Sequence, residues 1–262
     1  MGFLLFRIWF YGIGAPESNP LVREQEYVSI VKSVKLNHNY ACVMFANGTA
    51  QLHSIEDGTN HSKVKIFPDG NSHSQGKITT ISLTENFLIY ANDNGTIEYF
   101  MIPEWNVVNV YKHSVGIKQV YPDQMGTCLV IIDNKNDGWI YNAISELLIP
   151  IPHEYFPSQV KSVLWETWPD DKAVFAVCDS NYIQVFVNVK DTIQGPVIDY
   201  VGQMKIPLGQ FPLLLYNGVV VCHTQSGGSS NFILSTHDFT DKMNNKMRLK
   251  TEFLTDILKL RR

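Results

Sequence analysis

A chain of 262 residues with 45% hydrophobic content is long enough for one large all-β domain and rich enough to fill its core. A formal charge of −4 and a pI near 6.0 exclude a global electrostatic pull toward nucleic acid or acidic membranes. Four widely spaced cysteines, Cys42, Cys128, Cys178 and Cys222, form no C-x-x-C pair. That argues against a zinc cage or redox motif and fits a reducing compartment, with each thiol a small buried side chain.

The chain opens on an apolar stretch, Met1 to Ile13. Arg7 interrupts it, whereas a signal peptide carries its charge before the apolar run. It falls short of the roughly 20 residues of a membrane-spanning helix. Phe6 stands where a myristoylation signal needs Ser or Thr. The residues predict a strand over Arg7–Gly12, left over from a preceding sheet, and a loop over Gly14–Pro20. Residues 1–20 therefore form a leading strand and loop.

Next comes a series of hairpins. Phe87 to Met101 is the clearest: an apolar run, a polar turn containing Asn94-Gly95, and an alternating run. Asn and Gly tolerate the positive φ that a tight turn requires, and the β-branched and aromatic flanks suit a pleated, half-buried surface. The unit recurs at Tyr40–Phe45 with Asn47-Gly48 and Thr49–His53, and at Leu129–Asp133 with Asp137-Gly138 and Trp139–Tyr141. It recurs again at Val174–Val177 with Asp179-Ser180-Asn181 and Tyr182–Val187, and at Leu213–Tyr216 with Asn217-Gly218 and Val219–His223. The turns stand roughly 37 to 47 residues apart, the period of four-stranded propeller blades.

Single candidate strands lie between the hairpins, at Val28–Leu36, Ile78–Leu83, Ile117–Val120, Val160–Trp165 and Gly202–Ile206. Each reads as the inner strand of its unit, and Trp105–Tyr111 as an outer fourth strand. An irregular β-sandwich would space its strands every 8–12 residues without the higher period. The pattern therefore predicts an all-β fold, a partial WD-repeat-like β-propeller of about five blades over residues 21–238. The Gly-His and Trp-Asp signatures of WD repeats are absent.

Candidate sites are few. Asn47-Gly-Thr49, Asn94-Gly-Thr96 and Asn60-His-Ser62 match the N-glycosylation pattern, but two of the three are the hairpin turns themselves. Asp57 to Gly76 is a polar surface loop. His61 and His73 within it lack a third metal ligand at suitable spacing. Glu166, Asp170 and Asp171, between and beside Trp165 and Trp168, resemble the carboxylates of sugar-cleaving sites. Pro169-Asp170-Asp171 is equally ordinary turn chemistry. Gly227-Gly228 is a turn between strands, not a helix-opening phosphate cradle. The sequence supplies no catalytic, cofactor-binding or metal-binding residue and implies no cofactor.

From Thr240 the period changes. Met243, Met247, Phe253, Leu254, Ile257, Leu258 and Leu260 fall near 3.6 spacing with Lys and Arg between them, predicting an amphipathic helix over 239–262. The pattern runs to Arg262 without a cap, as in a helical region cut short.

Several segments carry a family resemblance. They are Leu129–Tyr141, Val163–Lys172, Lys190–Gly195, Pro212–Gly218, His223–Gly227 and Leu234–His237, with Arg7–Tyr11 and Gln51–His53 fitting more weakly. Together they resemble the WD repeat-containing protein 19 family, subunits of intraflagellar transport complex A, the retrograde train of cilia. The likeness is collinear from about Arg7 to His237. It implies the later blades of the second of two propellers, followed by the start of a helical solenoid. The first propeller, the opening blades of the second and most of the solenoid have no counterpart here. The implied role is a non-enzymatic scaffold for retrograde ciliary transport, ciliary membrane-protein entry and cilium assembly. Implied partners are other complex A subunits and, indirectly, dynein-driven trains and tubby-like adaptors, with no nucleic acid and no direct membrane span. The implied location is the cilium, the ciliary base and the cytoplasm. The rival readings are a WD-repeat adaptor outside the cilium and a propeller-fold glycosidase. About five blades without closure would also leave edges at Arg7–Gly12 and Val219–Leu234 unpaired.

Overall fold

The computed structural model describes residues 6–11, 21–55, 64–69, 76–166, 173–189, 195–216, 218–225 and 232–238. Twenty-one strands and one turn of 3-10 helix, His153–Tyr155, make up the described fold. In chain order the strands are β1 (Phe6–Tyr11) and β2 (Leu21–Tyr27); β3 (Val31–Leu36), β4 (Tyr40–Phe45), β5 (Ala50–Ser54) and β6 (Val64–Phe67); β7 (Ile78–Leu83), β8 (Phe87–Asn92), β9 (Thr96–Met101) and β10 (Asn106–Lys112). There follow β11 (Ile117–Pro122), β12 (Cys128–Asp133), β13 (Gly138–Asn142) and β14 (Leu147–Pro150); β15 (Ser162–Trp165), β16 (Ala173–Cys178), β17 (Tyr182–Val189) and β18 (Val197–Lys205); β19 (Gln210–Tyr216), β20 (Val219–Gln225) and β21 (Phe232–Asp238).

Each group is one sheet whose hydrogen-bonded neighbours are consecutive in sequence: one of two strands, four of four and one of three. This is the repeating meander of a partial β-propeller, as the double spacing of the hairpins predicts. The strand read at Trp105–Tyr111 is β10, fourth in its sheet. Burial falls across a sheet. β12 is buried at every position and β8 at all but its first, while β10 alternates between exposed and half-buried. Middle strands packed on both faces need continuous apolar runs; an outermost strand with one wet face needs only alternation.

The chain divides into two compact units, Met1–Asn136 with Tyr141–Leu147, and Asp137–Ile140 with Leu148–Arg262. In the first unit, the β3–β6 and β7–β10 sheets share a core of Cys42, Met44, Leu52, Phe67, Leu88, Tyr90 and Phe100, among others. Phe67 is its pivot, with ring centroids 5.1 Å from Tyr90 and 5.0 Å from Phe100. Tyr27, Val43 and Phe45 join β2 to β4, with Phe6 and Ile8 of β1 packed on them. In the second unit Cys178, Ile183, Val185, Met204, Leu215, Val220 and Cys222 fill the space between the β15–β18 and β19–β21 sheets. On the opposite face of the β15–β18 sheet, Phe175 and Phe186 stack at 5.4 Å.

Three sequence readings are corrected. Gly202–Ile206 is not an inner strand: through Lys205 it is the end of β18, fourth in its sheet. The inner strand of the last sheet is β19, whose Leu215 makes a parallel bridge to Glu166, the residue after β15. Gly218 therefore stands between first and second strands, where Gly48 and Gly95 stand between second and third. Local turn chemistry is the same in both places, so only the contacts with the neighbouring sheet distinguish them. Second, Val219–Leu234 is not one open edge, because β20 pairs with β19 on one side and β21 on the other. The sheet ends at β21, and β1 ends the first sheet opposite its pairing with β2.

Third, the turn read at Asp137-Gly138 lies earlier. Asn136 N–H donates to Asp133 O at 3.0 Å, and Asn136 takes the left-handed conformation with φ 64°. Gly138 instead begins β13, where a Cβ would sit 2.5 Å from the Phe156 ring. The helix predicted over 239–262, the loop histidines His61 and His73, the Asn60 sequon and Gly227-Gly228 all lie outside the described residues. Among the described residues, no helix is long and apolar enough to cross a membrane.

Candidate interaction surface

The turns at the sheet ends are built from their own side chains. Gly48 and Gly95 take φ of 85° and 92°, while the Asn before each does not take a positive φ. The Asn acts instead as an acceptor. Asn47 Oδ1 receives the Thr49 N–H at 3.0 Å and its hydroxyl at 2.8 Å; Asn94 Oδ1 receives those of Thr96 at 3.2 and 2.9 Å. Both Asn-Gly-Thr triplets are thus Asx turns that pin the start of the next strand. Lys112 Nζ also donates to Asn94 O at 2.7 Å.

The glycines permit close approach as well. A Cβ on Gly48 would stand 2.6 Å from Lys77 Cβ, and one on Gly95 2.5 Å from the Val115 carbonyl. In return, Ile78 N–H donates to Gly48 O and His113 N–H to Gly95 O. The first bond ties the β4–β5 turn to the start of β7, and the second extends the β9–β10 ladder by one residue.

Of the three carboxylates considered for catalysis, Asp170 and Asp171 lie outside the described residues. Glu166 follows β15 directly, and its Oε2 accepts the Gly218 N–H at 2.8 Å. That charge-assisted bond fastens the turn between β19 and β20. All four cysteines are free and buried, on the second strands β4, β12, β16 and β20. Burial pushes the Cys178 thiol up to about 12 and Cys222 to about 11, and raises Cys42 further. Thiols so shifted are protonated at neutral pH and are weak nucleophiles. Among the described residues, no three His, Cys, Asp or Glu side chains are grouped to hold a metal ion.

Three buried polar pairs were not read from sequence. The Tyr27 hydroxyl lies 2.6 Å from His53 Nε2, and His53 Nδ1 lies 3.0 Å from the Ser54 carbonyl. A carbonyl only accepts, so Nδ1 carries the proton and Nε2 receives the Tyr27 hydroxyl. Tyr90 O–H donates to Oε2 of the fully buried Glu98 at 2.5 Å. His113 Nε2 stands 3.4 Å from Asp133 Oδ2, both side chains 2% exposed. Asp133 Oδ1 also accepts Lys135 N–H at 2.8 Å. Glu98 and Asp133 sit in or at the end of largely apolar strands, and such an acid is the sequence signal that two of these pairs leave; the Tyr27–His53 pair leaves none.

In the second unit the β18–β19 connection carries exposed apolar groups. Gln210 N–H donates to Pro207 O at 3.1 Å, closing a turn in which Gly209 has φ 80° and Leu208 is completely exposed. Phe211 and Leu213 on β19 are each 54% exposed. A pocket of about 950 Å³ lies beside this turn, within the range of ligand clefts.

Consecutive four-stranded meanders tied by their turns define a β-propeller of the WD-repeat class. A family described as "WDR19 second beta-propeller" matches residues 4–237. The chain belongs to that family. It is 40% identical to human WD repeat-containing protein 19 over 241 residues, 90% of this chain and 18% of the human protein. The mouse protein of the same name is 41% identical over the same length. WD repeat-containing protein dyf-2 of Caenorhabditis elegans is 32% identical over 216 residues, 82% of this chain and 15% of that protein. The chain thus spans less than a fifth of each relative's length.

Proposed function

We infer that this chain is the propeller portion of a non-enzymatic scaffold subunit of intraflagellar transport complex A. In that role it supports retrograde ciliary transport, entry of membrane proteins into cilia and cilium assembly. The observation that carries this reading is the family match over residues 4–237, which takes in every described strand but the last residue of β21. The physical design agrees. Sheets fixed by buried aromatics and turn-to-strand hydrogen bonds make each unit stiff, and stiffness lowers the ordering cost of docking partners. Glu166 holds a turn, so the one described carboxylate of the glycosidase reading has a structural task.

The partners on this reading are other complex A subunits, with dynein-driven trains and tubby-like adaptors further away. The location is the cilium, its base and the cytoplasm. The test is live imaging of the protein fluorescently tagged at its own locus in a ciliated cell. Particles moving from ciliary tip to base are expected, with loss of the gene causing transport particles to accumulate at the tip. Exclusion of the protein from cilia, with normal cilia after its loss, would overturn the reading in favour of an adaptor elsewhere.

A further inference from the structure

We propose that the β7–β8, β9–β10, β11–β12 and β13–β14 turns together form a docking surface for a basic amphipathic helix of a partner protein. The surface lies within the first unit and is independent of the transport role. Its turns are continuous. Ile102 N–H donates to Asn86 O at 2.8 Å, joining the β9–β10 turn to the β7–β8 turn. Ala143 N–H donates to Thr127 O at 2.9 Å, joining the β13–β14 turn to the β11–β12 turn. Between these two pairs, a Cβ on Gly126 would stand 2.9 Å from the Phe87 ring and 3.5 Å from Thr84 Oγ1, so the two sheets meet here.

Apolar groups stand out from this surface. Met125 is 65% and Ile144 79% exposed, and Leu147, which opens β14, is exposed as well. The turns that hold them out are fixed. Gly126 N–H donates to Asp123 O and the Thr127 hydroxyl to Asp123 Oδ2, while Asn142 Oδ1 accepts the N–H groups of Ile144 and Ser145. A scattered exposed side chain is ordinary, but a group of them on rigid turns is a preorganised apolar contact.

Charge selects the occupant. The four turns carry Glu85, Glu104, Asp123 and Glu146 and no Lys, Arg or His. None of the four carboxylates is ion-paired with a described residue. The cations of these two sheets, Lys77, Lys112, Lys118 and Lys135, all lie at the opposite end, where Lys112 Nζ donates to Asn94 O and Lys118 Nζ to Asn136 Oδ1, each at 2.7 Å. Asn37 ties the β3–β4 turn to the Thr84 and Glu85 carbonyls, which brings up Lys35 and His38. Four carboxylates still outnumber one ammonium and one imidazole.

A second observation lies beneath the β11–β12 turn. Tyr99 is 2% exposed, and neither its hydroxyl nor the buried Asp123 Oδ1 has a hydrogen-bond partner among the described residues. Asp123 is close enough for its charge to help raise the Tyr99 hydroxyl, after burial and Tyr141. This carboxylate thus keeps acceptor capacity that a cationic side chain arriving at the turn can use. Carboxylates repel nucleic-acid phosphates and acidic membranes, and among the described residues no three acids converge on a metal ion. A basic protein segment remains. The apolar tips are flanked by Glu85 and Glu104 on the neighbouring sheet and by Glu146 in the last turn, so the complement is a helix with an apolar stripe between basic flanks.

The test uses the full protein purified from its own locus with whatever companions it carries. Two fluorescein-labelled amphipathic peptides of about 18 residues, five helical turns, serve as probes. Both carry the same leucine stripe, one with Lys and the other with Glu at the polar positions. Fluorescence anisotropy is expected to show the Lys probe binding at least about tenfold more tightly than the Glu probe. Ile144→Ser and Glu146→Lys, both at exposed positions, are each expected to weaken it by about fivefold or more without shifting the melting temperature. Asp199→Lys, the same charge change at an exposed site of the second unit, is expected to leave it unchanged. Equal affinity for the two probes, or tight binding that neither surface variant weakens, would overturn the proposal. So would an equal loss in Asp199→Lys and Glu146→Lys, which would mean attraction to overall charge alone.

Discussion

Gly95 and Gly209 both take a positive φ, yet their surroundings differ. A Cβ on Gly95 meets the carbonyl oxygens of Val115 and His113 at 2.5 and 2.8 Å, whereas one on Gly209 meets nothing within 4 Å. Gly209→Ala should cost only the conformational penalty of about 1–2 kcal/mol. Gly95→Ala should cost distinctly more, because backbone oxygens cannot swing aside; urea denaturation of the two variants gives the comparison. Phe67 tests the core in the same way. Fully buried among Tyr90 and Phe100, its replacement by Ala should lose about 3–5 kcal/mol. Asp133→Ala removes the acceptor beside the buried His113, at about 1–3 kcal/mol for a buried polar group that loses its partner, while the N–H of the exposed Lys135 can turn to water.

At the scale of the element, hairpins were legible because their information is local. Phe87–Met101 carries its apolar run, turn and alternation within fifteen residues, and β8 and β9 follow it closely. What failed was non-local. Nothing within Leu213–His223 says whether its hairpin joins first to second strand or second to third; the bridge from Glu166 to Leu215, some fifty residues away in sequence, decides it. Likewise Gly138 read as a turn residue until the Phe156 ring required it in a strand. The pocket was invisible for the same reason, since its lining joins three separated segments.

The second strands also carry the cysteines, with a measurable consequence. Their thiols, raised by burial to about 12 for Cys178 and about 11 for Cys222, stay protonated when folded. In the unfolded chain they ionise near the ordinary value of about 8.5. The stability this contributes is fully present below that pH and is lost as pH rises toward 11–12. Iodoacetamide at pH 8 should leave all four thiols unlabelled in the native protein and label four in denaturant. Rapid native labelling would mean that these strands are not buried as described.

For the whole molecule, the terminal sheets matter most. Trp9 is 49% and Tyr11 63% exposed on β1, and Phe211 and Leu213 are similarly open on β19. β1 and β21 also end their sheets with one hydrogen-bonding side each unpaired within the sheet. Apolar faces beside unpaired edges promote association. The isolated 262-residue chain is therefore expected to elute from size exclusion as aggregate, or to become soluble only with further blades supplied. A monodisperse monomer with cooperative unfolding would instead indicate a ring that closes by itself.

The scaffold role is tested most directly by tagging the protein at its own locus, purifying it under native conditions and recording both its mass and its companions. Complex A subunits are expected to co-purify in stoichiometric amounts. A product that carries none of them would contradict the assignment.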